Sequence, residues 1–186
     1  QAAQFDPEGF NPVALRAVYW TRDQLDNGPG GAARVNASWD FLGELPRMLN
    51  EESTLYVHGS PREPTNEYIF PEDVYNQRKM EALFGLVPKL CFQGHTHIPG
   101  VFTSNFEFLT PEDCHYEYRL TGEKAMINVG SVGQPRDSDP RACYTILDGD
   151  RVVFRRLDYP VEVVAKKIYA VPNLDNMLGD RLLAGR

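Results

Sequence analysis

The sequence holds 186 residues with a net charge of −7, 42% hydrophobic and 11% aromatic, which suits one globular domain with a sizeable core. The acidic balance and the lack of a basic stripe exclude sequence-independent binding of duplex nucleic acid. No apolar run approaches the ~18 residues of a membrane span, the first residues do not read as a signal peptide, and three widely spaced cysteines (Cys91, Cys114, Cys143) argue for a reducing compartment, expected to be the cytoplasm.

Asn11-Pro12 reads as a helix start, with Asn as N-cap and Pro at the first helical position. Val13, Leu15, Val18, Tyr19 and Leu25 predict an amphipathic helix to about Asp26. Asn27-Gly28-Pro29-Gly30-Gly31 stops it. No strand precedes those glycines and no Gly-Lys-Ser/Thr follows, so they read as a linker and not as a phosphate loop. A second short helix is expected from about Asn36 to Glu44, burying Trp39 and Leu42 and ended by Leu45-Pro46. A strand from Ser53 to Val57 follows and runs into His58-Gly59-Ser60-Pro61. Residues 59–72 are polar and hold Pro61, Pro64 and Pro71. They predict an irregular surface loop of the kind that often carries function. Pro71-Glu72-Asp73 opens a helix that carries Val74, Met80, Leu83 and Phe84 to about Gly85.

Lys89-Leu90-Cys91-Phe92 then reads as a buried strand, followed by Gln93-Gly94-His95-Thr96-His97-Ile98-Pro99. Beyond Pro99 the pattern is all-β: Val101–Thr103, Phe106–Leu109, His115–Leu120, Ala125–Val129, Ala142–Leu147 and Val152–Tyr159. Asp148-Gly149 marks a hairpin. Pro160 opens a helical region to about Ala170, broken at Pro172 and restarting at Asn173. Leu174, Met177, Leu178, Leu182 and Leu183 form its apolar stripe.

The chemistry gathers at strand ends. His58, His95 and His97 all lie where a β-prone run meets a glycine, and strand tips are where sheets present ligands. Neutral imidazole is the commonest side-chain metal ligand. Three histidines in the same local setting point to metal binding. His115 has no junction glycine and reads as a surface or cross-strand residue. A second stretch, Ile127-Asn128-Val129-Gly130-Ser131-Val132-Gly133-Gln134-Pro135-Arg136, ends a strand in a loop rich in glycine, with Ser and Arg. Its backbone N–H groups and Arg suit an anionic oxygen ligand. A plain turn in which Asn and Gly satisfy local geometry fits the pattern equally well.

The order His58-Gly59-Ser60-Pro61, Gly94-His95-Thr96-His97 and Asn128-Val129-Gly130-Ser131-Val132-Gly133-Gln134-Pro135-Arg136 resembles the calcineurin-like metallophosphoesterases, in particular the small bacterial and archaeal phosphodiesterase branch. The resemblance runs from about Phe10 to the end. It implies an α/β fold, a β-sandwich flanked by helices, and a two-metal centre at the strand tips. It implies His58 and His95 as ligands of one metal and His97 as a ligand of the other. Asn128, Ser131 and Arg136 would lie beside the site as substrate contacts. Imidazole ligands favour Mn, Fe, Zn or Ni over Mg or Ca. Two such ions ~3.5–4 Å apart would polarise a phosphoryl oxygen and activate water for attack on a phosphodiester or phosphomonoester.

The resemblance also implies, ahead of the His58 element, Asp-x-His, Gly-Asp and Gly-Asn-His-Asp/Glu, and none of these stands before His58 in this sequence. These would supply a bridging aspartate, an asparagine ligand and the general acid, expected upstream of Gln1. Two βα units of ~30 residues each would account for them. The 186 residues are therefore expected to be the C-terminal portion of a larger phosphoesterase domain, weak in metal binding and low in turnover alone. The expected partner is a small phosphorylated substrate; protein phosphoserine and dinucleoside polyphosphates are alternatives at the same site. The rival of another class is a non-catalytic scaffold on the same fold, like the retromer subunit that resembles this family. An exposed apolar patch around Leu178 and Leu182 would favour it.

Overall fold

A computed structural model describes residues 9–186. The opening at Gln1 lies outside the described residues. The chain forms two compact units, one of residues up to Pro46 with Val161–Asp180, the other of Arg47–Pro160 with Arg181–Arg186.

The first unit is helical. Helix α1 (Pro12–Asn27) starts as expected: Asn11 Oδ1 accepts from the backbone N–H groups of Val13 and Ala14 at 3.0 and 2.9 Å. Helix α2 (Gly31–Glu44) begins about five residues earlier than Asn36, because Ala32, Ala33 and Arg34 are good helix formers and Gly30 takes the left-handed turn at φ +119°. Trp39 and Leu42 are half-buried and no residue of either helix is fully covered. The indole keeps its polar edge wet, donating from Nε1 to Asp26 Oδ1 at 2.8 Å.

The second unit is a sandwich. Strands β1 (Met48–Glu51), β2 (Thr54–Val57), β3 (Leu90–Gln93), β4 (Gly100–Thr103) and β5 (Phe108–Leu109) join β7 (Ala125–Asn128) in a six-stranded sheet, ordered β1-β2-β3-β7-β4-β5. Strand β6 (Glu117–Arg119) with β8 (Ala142–Asp148) and β9 (Arg151–Leu157) forms a second sheet, ordered β6-β9-β8. The edge strand β1 was not anticipated. All four of its residues are exposed, so it carries no burial alternation to read. The region from Pro71 is a 3-10 turn (Pro71–Tyr75) followed by helix α3 (Gln77–Leu86), with Asn76 capping the Lys79 N–H; one continuous helix was expected. Helices α4 (Val161–Tyr169) and α5 (Met177–Ala184) close the chain.

Alternation sends successive side chains of the central strands to opposite faces. Leu55, Cys91, Phe102 and Met126 pack on one face with Met80, Leu83 and Phe84 of α3. Leu90, Phe92, Val101 and Ile127 pack on the other with Val152 and Phe154 of β9. Both faces are covered, so these strands read as continuous apolar runs. Each fully buried large side chain contributes about 1.5–3 kcal/mol.

The topology that matters is the run of three neighbouring parallel strands. β2 pairs parallel to β3 (Leu55 opposite Cys91), and β3 pairs parallel to β7 (Gln93 opposite Asn128). Their C-terminal ends therefore share one edge. His58 leaves β2 there, Gly94-His95-Thr96-His97 leaves β3, and the loop from Val129 leaves β7.

Leu182 is 6% exposed and Leu178 is half-buried. The apolar patch that would favour a scaffold is thus not displayed at those residues. Among the described residues no helix is long and apolar enough to cross a membrane. The three cysteines are free.

Candidate functional site

The Gly94–His97 turn is built on backbone conformations that side chains rarely adopt. His95 has φ +64° and His97 φ +61°, each costing about 1–2 kcal/mol relative to right-handed backbone. Thr96 between them is 2% exposed. Asn128 Nδ2 donates to Thr96 Oγ1 at 2.6 Å and to the Gly94 carbonyl at 2.9 Å, and the Gly94 N–H donates to the His58 carbonyl at 3.0 Å. Those bonds hold the strained turn in place.

His58, His95 and His97 line one cavity of about 350 Å³ at the strand tips, together with Gln93, Val129 and Gly130. His58 Nε2 lies 2.8 Å from His95 Nδ1, so one ring donates to the other. Tyr68 stacks on His95 with ring centroids 3.7 Å apart and 19° between planes. His97 Nδ1 lies 2.7 Å from the Gln134 carbonyl. A carbonyl only accepts, so the Nδ1 proton is assigned to His97 and the Nε2 lone pair is left free, the arrangement typical of a metal-ligating imidazole.

The electrostatics keep the rings neutral. Desolvation, then the nearby His58, His97 and Arg136, push His95 down to about 4, against an opposing hydrogen bond to the Asn66 backbone. His97 is lowered chiefly by burial, with Arg136 and His58 adding and the Gln134 bond opposing. His58 keeps solvent contact but is crowded at the strand tip, and that desolvation lowers it too. At neutral pH all three are therefore uncharged and able to offer lone pairs.

A metal fits this donor set in part. Among the described residues no three His, Cys, Asp or Glu side chains close into a metal-holding group. Two nitrogens on one tetrahedral ion at ~2.0–2.1 Å would stand about 3.3 Å apart, so the 2.8 Å pair must open slightly to admit one. Gln93 supplies a further sign of a polar occupant. Its side chain is 2% exposed and, among the described residues, neither amide atom has a hydrogen-bond partner, an expensive state for a buried amide beside a cavity.

The β7 loop turns out to be mostly self-satisfying. Asn128 is 1% exposed. It spends its amide on Thr96 and Gly94, and its carbonyl oxygen accepts from the Gly130 N–H at 3.0 Å. Ser131 Oγ accepts from the N–H groups of Gly133 and Gln134 at 3.2 and 2.9 Å, which keeps its own O–H free to donate. Gly130 sits at φ +76°, and a Cβ there would lie 2.7 Å from Cys143 Sγ, so only glycine fits. Arg136 donates through Nε and Nη2 to Gln134 Oε1 at 3.1 and 2.8 Å, leaving Nη1 for another acceptor. The next residue, Asp137, is gripped by Arg156, whose side chain is 4% exposed and also reaches Asp139 at 3.5 Å.

The sequence brought His58, His95 and His97 to attention, and the structure brings them to one cavity. It did not bring Tyr68, Asn66 or Gln93. A glutamine ending an otherwise apolar strand is a readable signal; an aromatic in a polar loop is not. His115 is exposed in the turn before β6, in line with its surface reading. A larger hollow of about 590 Å³ lies in the helical unit, between Arg16, Tyr19, Trp20 and the Pro172–Asp175 segment. No histidine lines it, and its Arg16 is already paired with Asp175 Oδ2 at 3.1 Å, so size does not mark the chemistry.

No family model matches the chain. It is 32% identical over 188 aligned residues to an uncharacterized protein, MJ0912, of Methanocaldococcus jannaschii, an alignment covering 95% of this chain and 68% of that protein. The crystal structure of a metallophosphoesterase from Sphaerobacter thermophilus superposes with a TM-score of 0.77 and 33% identity, over all of this chain and 72% of that one. The hypothetical protein PH1004 from Pyrococcus horikoshii OT3 shares the fold at a TM-score of 0.69 and 16% identity, over all of this chain and 69% of that one. The fold is that of a metallophosphoesterase, a mixed α/β architecture whose sandwich carries α3 on one face. The chain belongs to the metallophosphoesterases.

Proposed function

We propose that this chain carries part of the active centre of a metal-dependent phosphoesterase that hydrolyses a phosphodiester or phosphomonoester. What supports the reading is the meeting of three neutral imidazoles, from two distant stretches of chain, at one strand-tip cavity beside Arg136. His58 and His95 would hold one divalent transition metal (Mn, Fe, Zn or Ni) and His97 a second. When bound, the metals supply Lewis acidity and an activated water. Arg136 Nη1 and the Ser131 O–H would receive the phosphoryl oxygens and hold them for in-line attack. Asn128 would act indirectly, by fixing the turn that carries His95 and His97.

No residue of this chain is assigned as general acid. The family pattern places that group, the bridging aspartate and an asparagine ligand in motifs ahead of the His58 element, and residues 1–57 hold none of them, so the full centre would draw on further chain. The substrate would be a small phosphorylated molecule, and a cytoplasmic setting fits a chain whose three cysteines are free.

The test is hydrolysis of a phosphodiester with Mn²⁺ by the parent protein and by His95→Ala, with elemental analysis of both. Loss of on the order of 10²–10³ in rate is expected. Equal rates in the two would remove His95 from the chemistry, and an unaltered parent free of both metal and activity would point to the scaffold reading.

A further inference from the structure

The loop 59–72 is irregular, yet it is tied down more heavily than a surface connection requires. Glu67 has a side chain only 16% exposed and is the hub. It accepts from Ser60 Oγ at 2.5 Å, from Arg62 Nε at 3.2 Å and from Arg62 Nη2. Ser60 is fully buried, and its Oγ accepts in turn from the N–H groups of Arg62 and Glu63 at 3.1 and 2.9 Å. The chain crosses itself so closely here that a Cβ on Gly59 would lie 2.8 Å from the Glu63 carbonyl oxygen and 2.9 Å from that of Glu67. On the far side Lys79 of α3 donates to the Tyr68 carbonyl at 2.9 Å and to Asp73 Oδ2 at 2.6 Å, while Asp73 accepts from the Phe70 N–H at 2.8 Å. The short segment 66–68 is thus pinned at both ends by ionic groups.

That segment is the one that touches His95. The Tyr68 ring covers the imidazole with centroids 3.7 Å apart, and the Asn66 backbone beside it opposes the lowering of the ring's pKa. Exposed ion pairs contribute little to stability, and a nearly buried carboxylate is costly unless fully paired. A loop that only joins β2 to α3 needs neither. The cost becomes intelligible if the segment must stand at a fixed position against the ring.

We propose that Glu67 is a positioning residue for His95: through Ser60 and Arg62 it locks residues 66–68 against the imidazole and so fixes the angle at which His95 meets a metal ion. The inference rests on the metallophosphoesterase reading of the site. Lys79 performs the same service from the other end, through the Tyr68 carbonyl. Glu67 itself touches neither metal nor substrate.

The experiment compares the full chain with Glu67→Gln, which keeps the volume and removes the charge. The first readout is the long-range ¹H–¹⁵N correlation spectrum of the histidine rings without metal. The second is calorimetric titration with Zn²⁺ alone. Thermal midpoints are measured alongside, and Lys79→Met serves as the second variant should Glu67→Gln fail to fold. The His95 ring signals are expected to shift and broaden while those of His115 stay in place. Zn²⁺ affinity is expected to fall ten- to a hundredfold, the range seen when groups supporting a metal ligand are removed. Unchanged His95 signals in a folded variant overturn the proposal, whatever the metal does. If the unaltered chain gives no heat with Zn²⁺ and yet the His95 signals move, the positioning stands and the metal reading is what has failed.

Discussion

Two places in the sandwich unit hold histidine in left-handed backbone, and they differ in everything else. At the strand tips His95 and His97 have φ of +64° and +61°, are half-covered, and are held by named partners: His58 and Tyr68 for one, the Gln134 carbonyl for the other. Before β6, His115 and Tyr116 have φ of +52° and +63°, and His115 is exposed on a turn whose ladder starts two residues later. The backbone cost is the same in both. Strain by itself therefore does not mark a site; strain held against converging side chains does. Three adjacent parallel strands end beneath the first turn, while the second only returns the chain to a short edge strand.

The largest expected effect breaks this contrast if it fails. His58→Ala and His97→Ala, assayed in the parent protein with Mn²⁺, should each lose on the order of 10²–10³ in phosphodiester hydrolysis, and His115→Ala should stay within about twofold. A comparable loss at His115 would place chemistry where the fold offers no convergence.

A pH series sharpens the same contrast. His95 is held at about 4 in the fold against about 6.5 in the unfolded chain. Between those values the unfolded state binds more protons, so stability is present above about pH 6.5 and is lost on acidifying toward 4. His58 and His97, both lowered, act in the same direction. The thermal midpoint should therefore decline from pH 6.5 to 4, and His95→Asn should flatten part of that decline. Glu67 would work in the range below. Burial alone would raise it, but hydrogen bonds from Arg62 and Ser60, with the charges of Arg62 and Lys79, leave it lowered. A midpoint as high at pH 4.5 as at pH 7 would contradict neutral, desolvated imidazoles.

The smallest effect isolates the backbone term. His115→Gly should raise the thermal midpoint, by about 1 kcal/mol of stability, because glycine takes φ +52° without penalty and, among the described residues, no ring stacks on His115 as Tyr68 stacks on His95. The corresponding His95→Gly change should gain less, or lose, since the Tyr68 stack and the His58 bond go with the ring. Equal gains at the two positions would mean that the strand-tip contacts add nothing.

Much of this was open to reading before any coordinates. Asn11-Pro12, the apolar runs at 54–57, 90–93 and 125–128, the Asp148-Gly149 hairpin and the glycine-flanked histidines each carry a local cause: a cap, a burial pattern, a turn, a junction. Those causes lie within a few residues of one another, which is why the chain's own order suffices to state them. Other features depend on parts of the chain beyond themselves. Strand β1 exists because β2 offers it an edge, and α2 starts early because its alanines outweigh the glycine before them. Asn128 looked like a ligand-facing amide but is consumed in holding Thr96. The polar loop 59–72 gave no sign that Glu67, Ser60 and Arg62 would knot it together, because that knot depends on a close crossing at Gly59.

The sequence by itself determined which residues could serve as donors and that they would stand at the ends of strands. Only the tertiary structure decided that β2, β3 and β7 lie side by side and parallel, so that their three ends open on one cavity, and that Tyr68 and the Gln134 carbonyl orient the rings there. The reason is range: a cap or a turn is a bargain among neighbours, whereas the meeting of residues 58, 95 and 134 is set by hydrogen-bonded ladders and by apolar burial on both faces of the sheet, which depend on the whole unit at once.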